Sequence, residues 1–313
     1  MNDIFFGNVL DRYSFWDSPT TIISDGAYGV GGFPGDPKTP DGLAEWYEPH
    51  VEEWKRKSTP RTSLWFWNTE VGWAICHPVL VKHGWKYVQL ITWDKGIGHV
   101  AGNVNSKTIR RFPVATEVSA LYVRPSEVKK KDGDFVSVQD WLRSEWKRAG
   151  LSYSQANVAC GVKNAASRKY FASDHEWYMP PVEMFQKMKD YANENGIPEG
   201  RPYFESAEEM SDSNWDKMRS VWNHTHGFTN VWSEPALRNA ERVRLNGKIL
   251  HGNQKPLTIM KRQVQATTNP GDLIWEPFGG LGSASFAAKD LGRGFAVAER
   301  NPDFYAALSE RLS

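Results

Sequence analysis

Cysteine is scarce in this chain, and several segments that mark other protein classes are missing. The two cysteines, Cys76 and Cys160, form no C-x-x-C pair, which excludes a disulfide framework and favours a reducing compartment. The histidines show no metal-ligand spacing, so we expect no metal site. The sequence shows neither a secretory signal nor an apolar run long enough to span a membrane. We therefore expect a cytoplasmic protein without a membrane partner.

An excess of charge of one sign is also absent. With 38 Lys and Arg against 37 Asp and Glu, the formal net charge is +1, so contact with nucleic acid has to come from local basic patches. The 313 residues, 40% of them hydrophobic, are enough for one large α/β domain and a smaller insertion. The 15 tryptophans are many for this length, and we expect most of them in the core.

A glycine-rich stretch near the C-terminus carries the strongest chemical signal. An apolar strand from Asp272 leads to Glu276, then to glycines, and then to a helix of small residues that starts near Ser283. This pattern is typical of a loop that binds a nucleotide-like cofactor, because glycine lets the backbone approach a ligand and a helix N-terminus offers N–H groups. A second strand ends at Glu299, about 20 residues beyond the turn, where a ribose-binding carboxylate is expected.

The residues of this loop favour S-adenosylmethionine over a dinucleotide or a phosphate. Ser285 stands where the third glycine of a dinucleotide loop belongs, which argues against a nucleotide-dependent oxidoreductase. The carboxylate of Glu276 would repel a phosphate but attract an ammonium group. S-adenosylmethionine carries an ammonium group, a sulfonium and a ribose, and no phosphate. A purely structural strand-to-helix turn is the alternative interpretation.

A second polar strand end lies near the N-terminus. The β-branched run from Thr20 stops at Asp25-Gly26-Ala27-Tyr28. In open α/β sheets the carboxyl ends of strands line the ligand crevice, so Asp25 and Tyr28 could hold a planar base by hydrogen bonding and stacking. Taken alone, the segment also fits an Asp-Gly turn beside a packed tyrosine. Residues 31–42, which follow, are rich in Gly, Pro and Asp and predict a mobile loop.

Strands and helices alternate over the first 124 residues, which predicts a mostly parallel sheet with helices on both faces. The strands around the glycine loop are too few for a sheet of their own, so their partner strands must come from the N-terminal half of the chain. The predicted elements are helices over 43–57 and 72–83 and strands over 62–68, 87–93 and 118–124.

Motifs from both halves of the chain follow a single order. They are Gly7-Asn8, Asp25-Gly-Ala-Tyr28, Trp93-Asp-Lys-Gly96, Thr116-Glu117, Asn253-Gln-Lys255-Pro and the glycine loop. Over residues 4–124 and 229–312, this order resembles the β class of DNA amino-methyltransferases. The resemblance implies a Rossmann-like methyltransferase fold with a doubly wound sheet, circularly permuted so that the catalytic motif precedes the cofactor loop.

The resemblance also implies an activity and a set of site residues. A methyl group passes from S-adenosylmethionine to the exocyclic amino group of a flipped DNA base, with adenine N6 favoured and cytosine N4 as the alternative. Asp25, Gly26 and Tyr28 would be catalytic. The cofactor would be held by Gly7, Asn8, Asp25, Lys255, Glu276, Phe278, Gly279, Gly280, Gly282, Ser283 and Glu299.

The sequence departs from the family pattern at three places. Gly26-Ala27 replaces the usual Pro-Pro, which predicts a looser catalytic loop because proline restricts the backbone. Glu276 stands where Asp is usual, and Asn8 where Asp is common, although an amide can still bond to an adenine edge. A DNA-binding module with a vestigial cofactor pocket is therefore the alternative of another class.

Residues 125–228 interrupt the catalytic domain, formed by 1–124 and 229–313, where the resemblance implies a helical target-recognition domain. A helix over 138–149 precedes a helix-turn-helix-like pattern over 153–171 with Gly161 at the bend. Between 125 and 170, nine Lys and Arg exceed five Asp and Glu, which suits phosphate contact but also fits a solvated basic face. The DNA-binding candidates are Lys107, Arg110, Arg111, Lys163, Arg168 and Lys169.

Double-stranded DNA is thus the expected partner, with RNA as an alternative acceptor. The family resemblance points to a bacterial or phage-encoded protein of a restriction-modification type. It leaves room for a homodimer and for a cognate restriction endonuclease, neither of which the residues specify.

Overall fold

The computed structural model describes residues 2–99, 107–174, 176–198, 200–207, 210–237 and 241–313. The chain divides into two compact units, which are described separately. Unit 1 comprises residues 1–124 and 220–313, and unit 2 comprises residues 125–219. No helix in the described ranges is long and apolar enough to cross a membrane.

Strands and helices alternate through most of the chain. The strands are β1 (Asn2–Phe6), β2 (Thr21–Ser24), β3 (Ser63–Asn68), β4 (Lys86–Asp94), β5 (Thr116–Val123), β6 (Glu127–Lys129), β7 (Phe135–Ser137), β8 (Val231–Ser233), β9 (Arg244–Leu245), β10 (Lys248–Ile249), β11 (Leu273–Glu276) and β12 (Gly294–Glu299). The α-helices are α1 (Leu43–Lys57), α2 (Glu70–Lys82), α3 (Val138–Arg148), α4 (Tyr153–Cys160), α5 (Val182–Asn195), α6 (Asp212–Lys217), α7 (Leu257–Thr267), α8 (Ser283–Asp290) and α9 (Pro302–Leu312).

Unit 1 is built on an eight-stranded sheet in the order β1-β12-β11-β2-β3-β5-β4-β8. Neighbouring strands are parallel except at β5, which is antiparallel to both β3 and β4. Strands from the two ends of the chain pair in the sheet: Ile22 of β2 lies opposite Trp275 of β11, and Ile4 of β1 lies opposite Val297 of β12. The prediction that the partner strands come from the N-terminal half is therefore confirmed.

Both faces of this sheet are covered by helices. Along β3, Leu64 and Phe66 pack into one core with side chains of α1 and α2, while Trp65 and Trp67 pack into a second core with side chains of α7, α8 and α9. Successive strand side chains point to opposite faces, so a strand that is covered on both faces is apolar along most of its length. Strand β4, which the sequence predicts as a buried strand over 87–93, has its first three residues exposed.

A buried polar seam fixes α7 on the sheet. The Trp67 indole N–H donates to the Gln263 side-chain oxygen at 3.0 Å, and the Trp65 indole N–H donates to Thr267 Oγ1 at 3.1 Å. Buried polar groups need such partners, and satisfied pairs define a single arrangement. Because Lys255 lies just before the first turn of α7, this seam also fixes the position of that lysine.

Unit 2 contains the β6–β7 hairpin and α3 to α6 around a core that includes Trp141, Trp146 and Trp215. As predicted, a helix (α4) precedes Gly161, which adopts the left-handed conformation with φ 66°. The second helix predicted over 164–171 is instead a π-helical turn at Ala166–Tyr170. Its Ser167 N–H donates to the Asn157 side chain at 3.0 Å, which diverts this donor from the α-helical pattern.

Residues 220–228 belong with unit 1, whereas the sequence placed them in the inserted domain. The reason is local hydrogen bonding beside the end of α7. The Asn223 N–H donates to the Ala266 carbonyl at 2.8 Å, and its side chain donates to the Thr268 carbonyl at 2.9 Å.

Candidate active site at the carboxyl edge of the sheet

Several strands of unit 1 deliver polar residues to one edge of the sheet. The parallel strands end at this edge, and the reversed strand β5 begins there. Ligand sites in open α/β sheets form at such an edge. The residues at or just after these strand ends are Gly7, Glu299, Glu276, Asp25, Asn68 and Lys95, and Glu117 lies at the start of β5.

The glycine loop connects β11 to α8 and is held against β12. The Gly279 N–H donates to the Ala298 carbonyl at 2.8 Å. Gly282 has φ 68°, and a Cβ atom there would collide with the Leu308 side chain. The loop therefore needs glycine at this position both for its backbone conformation and for close packing on α9.

The carboxylate of Glu276 caps α8. It accepts hydrogen bonds from the backbone N–H groups of Ala284 at 3.0 Å and Ser285 at 2.7 Å. A carboxylate is favourable at a helix N-terminus because it satisfies donors that lack partners within the helix. Burial nevertheless raises the pKa of Glu276 to about 7. The sequence predicted an ammonium ligand for this residue, and in the structure its hydrogen-bond partners are the donors of α8.

Glu299 organises the neighbouring strand ends. Its carboxylate accepts from the Gly280 N–H at 2.7 Å and the Asn301 N–H at 2.6 Å, while its backbone carbonyl accepts from the Gly7 N–H at 3.0 Å. Burial raises its pKa. Asn8 follows Gly7 and is exposed, and its side chain accepts from the Leu10 N–H at 3.2 Å. These predicted cofactor residues therefore meet at one corner of the sheet edge.

Phe278 lies within an aromatic group and faces the tetrapeptide Asp25-Gly26-Ala27-Tyr28. Its ring centroid is 5.2 Å from that of Trp46 and 4.9 Å from that of His50. A Cβ atom on Gly26 would lie 2.7 Å from the Phe278 ring and 2.8 Å from the Tyr47 hydroxyl. No side chain fits at position 26 without displacing these rings, which explains why glycine replaces the family's proline here.

The tetrapeptide is anchored by hydrogen bonds instead of prolines. The Ala27 carbonyl accepts from the Asn68 side chain at 2.8 Å and from the Tyr47 hydroxyl at 3.1 Å. Asn68 is fully buried at the end of β3. These bonds restrain the backbone that the sequence predicted to be looser.

The following loop is also organised around one side chain. The buried carboxylate of Asp36 accepts from the N–H groups of Gly29 at 2.9 Å, Val30 at 3.2 Å and Gly32 at 2.8 Å. The loop at 31–42, predicted from composition to be mobile, therefore has a defined internal hydrogen-bond set.

Asp25, Tyr28 and Lys255 form one hydrogen-bonded cluster with Glu117. The Lys255 ammonium group lies 2.7 Å from Asp25 Oδ1, 2.8 Å from Glu117 Oε1 and 3.1 Å from the Tyr28 hydroxyl. The Tyr28 hydroxyl is 2.8 Å from Asp25 Oδ1 and also contacts Glu117. Lys95 completes the cluster, 2.8 Å from Glu117 Oε2.

Two cations and two carboxylates therefore balance in a buried space. Only 4% of the Lys255 side chain is exposed. Burial alone would lower the pKa of Lys255, but Asp25 and Glu117 outweigh it and raise the pKa. The same lysines keep the pKa of Glu117 low despite its burial. Burial and both carboxylates raise the pKa of Tyr28 well above its usual value, so its phenol is neutral and donates a hydrogen bond.

Sequence reasoning missed the roles of Lys95, Glu117 and Asn68. The first two stand in motifs that were noted for their order alone, Trp93-Asp-Lys-Gly96 and Thr116-Glu117. Asn68 carried the signal of a polar residue ending an apolar strand. Each of the three is positioned by sheet topology that the sequence does not state.

One cavity joins the two halves of the site. Asp25 and Lys255 line it together with residues of the glycine loop: Glu276, Phe278, Gly279 and Ser283. His251 and Gln254 line it as well. Gly280, Gly282, Gly7, Asn8 and Glu299 lie at the adjoining strand ends, outside this lining.

The predicted DNA contacts fall in both units. Lys107, Arg110 and Arg111 lie in the connection between β4 and β5 of unit 1. Lys163, Arg168 and Lys169 lie around the π-helical turn of unit 2, where Arg168 forms an exposed ion pair with Glu176 at 3.2 Å. An exposed pair of this kind leaves the arginine available to exchange partners at little cost.

Comparison with known proteins bears on this site. A family model described as DNA methylase matches residues 15–310. The type II methyltransferase M.HindIII of Haemophilus influenzae is 23% identical over 282 residues, which is 88% of this chain and 71% of that protein.

Two solved structures share the fold at low sequence identity. The M1.HpyAVI–SAM complex superposes with a TM-score of 0.52 at 14% identity, over 100% of both chains. The cytosine-N4-specific PvuII DNA methyltransferase superposes with a TM-score of 0.56 at 12% identity, over 100% of this chain and 87% of the other.

Proposed function

Because the chain belongs to the N6/N4 DNA methylase family, whose model matches residues 15–310, we propose that it methylates adenine N6 in double-stranded DNA with S-adenosylmethionine as the donor. The observation that carries this proposal is the shared cavity. Asp25 of the catalytic tetrapeptide lines it together with Glu276 and Gly279 of the glycine loop. The tetrapeptide and the glycine loop therefore face one small cavity, and positioning a donor and an acceptor side by side would supply much of the rate.

The residues around the cavity fit the chemical groups of the cofactor. Buried Glu276 brings a carboxyl group to the cavity while it caps α8, Glu299 suits ribose hydroxyls, and Gly279 packs the loop closely against Val297 of β12. When bound, S-adenosylmethionine supplies an electrophilic methyl group on a sulfonium. The protein has to present an amino group to it and exclude water.

Asp25 activates that amino group. In the described part of the chain, the hydrogen bonds from Lys255 and Tyr28 both end on Asp25 Oδ1, which leaves Oδ2 to accept a hydrogen bond from the target amine. The Gly26 carbonyl accepts the second one. Together they draw the nitrogen lone pair out of the ring, and the carboxylate stabilises the positive charge that develops on nitrogen during attack.

Tyr28 holds the base after it leaves the duplex. Flipping a base costs a few kcal/mol, and stacking on an aromatic ring returns roughly 1–3 kcal/mol. The Tyr28 hydroxyl is fixed by Asp25 and Glu117, so the ring has a defined orientation before the base arrives. A rigid ring loses little entropy on binding.

Incubation with tritiated S-adenosylmethionine and unmodified double-stranded DNA, followed by digestion to nucleosides, tests the proposal. Labelled N6-methyladenosine is the expected product. N4-methylcytosine would move the acceptor to cytosine, and label in RNA alone would reject DNA. If the protein binds DNA but neither binds the cofactor nor transfers a methyl group, it is a DNA-binding module with a vestigial pocket.

Asp25→Ala should reduce transfer by at least 100-fold on the scale of lost electrostatic stabilisation, while calorimetry still detects binding of the cofactor. Asp17→Ala is the matched control, because Asp17 is exposed and precedes β2 at the opposite edge of the sheet. Wild-type rates in Asp25→Ala would remove Asp25 from the mechanism.

A further inference from the structure

The connection between β4 and β5, residues 95–115, has an unusual composition. It contains Lys95, Lys107, Arg110 and Arg111 and no acidic residue, although the whole chain carries a net charge of only +1. Clustered positive charge without intervening carboxylates favours contact with a phosphate backbone.

The same connection exposes apolar side chains. Phe112 is 94% exposed and Ile97 is 81% exposed, which makes them the two most exposed large hydrophobic residues in the ranges that the structure describes. Pro113 follows Phe112 directly and restricts the backbone beside it. At this exposure the Phe112 ring contributes little to the packing of the folded chain, and it is free to contact a partner.

Both ends of the connection are fixed at the candidate active site. Asp94 pairs with Thr116 across the last rung of the two strands, and the Lys95 N–H donates to the Ala115 carbonyl at 3.0 Å. The Lys95 side chain binds Glu117, which in turn contacts Lys255 and Tyr28. The basic and apolar side chains are therefore borne on a loop whose base is part of the catalytic cluster.

We propose that the segment 107–114 enters duplex DNA beside the target base, with Phe112 inserted into the base stack and Arg110 and Arg111 on the flanking phosphates. The inference rests on the proposed function and names the element that opens the duplex. Apolar wedges of this kind unstack base steps, while arginines bind phosphates. The occupant is duplex DNA because the acidic and basic side chains of residues 95–115 are all basic, which disfavours a basic or apolar protein surface.

The test compares paired and unpaired targets. Once sequencing of methylated DNA has given the modified site, two oligonucleotide duplexes are made, one paired throughout and one with a mismatch opposite the target base. Phe112→Ala should lower kcat/KM about 10- to 100-fold on the paired duplex, because the variant has to open the stack unaided. On the mismatched duplex the loss should be under about 3-fold, since that base is already unpaired.

Matched variants separate this role from a general loss of activity. Phe112→Leu keeps an apolar wedge and should retain most of the rate on paired DNA. Phe15→Ala is the control. Phe15 is 66% exposed and follows Ser14, whose backbone carbonyl accepts a hydrogen bond from Lys57 at the opposite edge of the sheet. This variant should match the wild type on both duplexes.

Two results would overturn the inference. In the first, Phe112→Ala matches the wild type on both duplexes. In the second, it loses activity equally on both. If the wild-type protein methylates no DNA, the proposed function fails and the inference falls with it. Normal wild-type methylation together with either of the first two results rejects the wedge alone.

Discussion

Lys255 determines the charge balance of the candidate active site. Its ammonium group lies within 2.8 Å of both Asp25 and Glu117 and is almost completely buried. Without Lys255, this cluster would keep one cation, Lys95, beside the carboxylates of Asp25 and Glu117. Both carboxylates contact the Tyr28 hydroxyl. Lys255 is the main cause that keeps the pKa of buried Glu117 low, so its loss would raise that pKa, and a proton held in the cluster would weaken the stabilisation of positive charge on the target nitrogen.

Lys255→Met should therefore act on both stability and pH dependence. Removing one partner of a buried ion pair costs about 3–5 kcal/mol of unfolding free energy. Because the pKa of the remaining carboxylate pair rises, methyl transfer should decline at a higher pH than in the wild type as the solution is acidified. Chemical denaturation and a pH–rate profile from pH 5 to 9 measure the two effects.

The double variant Lys255→Met/Glu117→Gln is the control for charge. It removes one cation and one carboxylate together, so part of the lost stability should return if the two groups are coupled as their distance indicates. An unchanged pH–rate profile in Lys255→Met would show that the lysine serves only as packing.

The chemistry-bearing residues could be predicted from the sequence, but their partners could not. Asp25, Tyr28 and Lys255 were identified by motif, and they meet in the structure. The contact between Glu117 and Lys255 joins the start of β5 to the segment before α7. Only the sheet order brings those two segments together, and no local pattern encodes it.

Among the elements, α8 depends most on a residue outside its own sequence. Its first donors bind Glu276 at the end of β11. Strand and helix are thus joined by a carboxylate whose pKa burial raises to about 7, so its charge changes close to neutral pH.

Glu276 should make unfolding depend on pH. The folded pKa lies above the unfolded value of 4.5, so the folded state binds the proton more tightly, and the stability gained from protonation is lost as pH rises through 7. Between pH 5.5 and 7.5 this loss amounts to about 2 kcal/mol. Glu276→Gln cannot titrate at this position. Its free energy of unfolding, measured in urea at the two pH values, should therefore change by about 2 kcal/mol less than that of the wild type. An equal change in both proteins would contradict the raised pKa of Glu276.

Helix α1, whose apolar periodicity is clear, was predicted to the residue at Leu43–Lys57. The segment 164–171 shows why others were not. Its helical composition was overridden by the Asn157 side chain, which binds both the N–H and the hydroxyl of Ser167. Side-chain competition for backbone donors depends on tertiary neighbours, so it is invisible to local patterns.

On the scale of the whole molecule, positive charge is concentrated and not general. The net charge is +1, yet residues 95–115 carry four basic and no acidic side chains. On the proposed function, DNA affinity should fall with salt in proportion to the number of phosphates that this segment and the basic residues of unit 2 contact.

Arg110→Gln/Arg111→Gln should lower the slope of log affinity against log salt concentration by up to about 2, since each lost phosphate contact removes about one counterion. Lys55→Gln/Arg56→Gln removes the same charge near the end of α1, which leads to the start of β3 at the opposite sheet edge. Fluorescence anisotropy with labelled duplex DNA at several salt concentrations measures both. Equal slopes for the two variants would mean that only net charge matters.

The pairing of β2 with β11 and of β1 with β12 also governs when the enzyme can form during translation. A ribosome releases the tetrapeptide strand early, and that strand must wait, partly unpaired, until the glycine-loop strands emerge. Polypeptides whose synthesis stops before β11 consequently possess Asp25 and Tyr28 but lack the glycine loop to which we assign the methyl donor. Prematurely terminated products should therefore be inactive. Modification of DNA can begin only after both β2 and β11, which are far apart in the sequence, have left the exit tunnel.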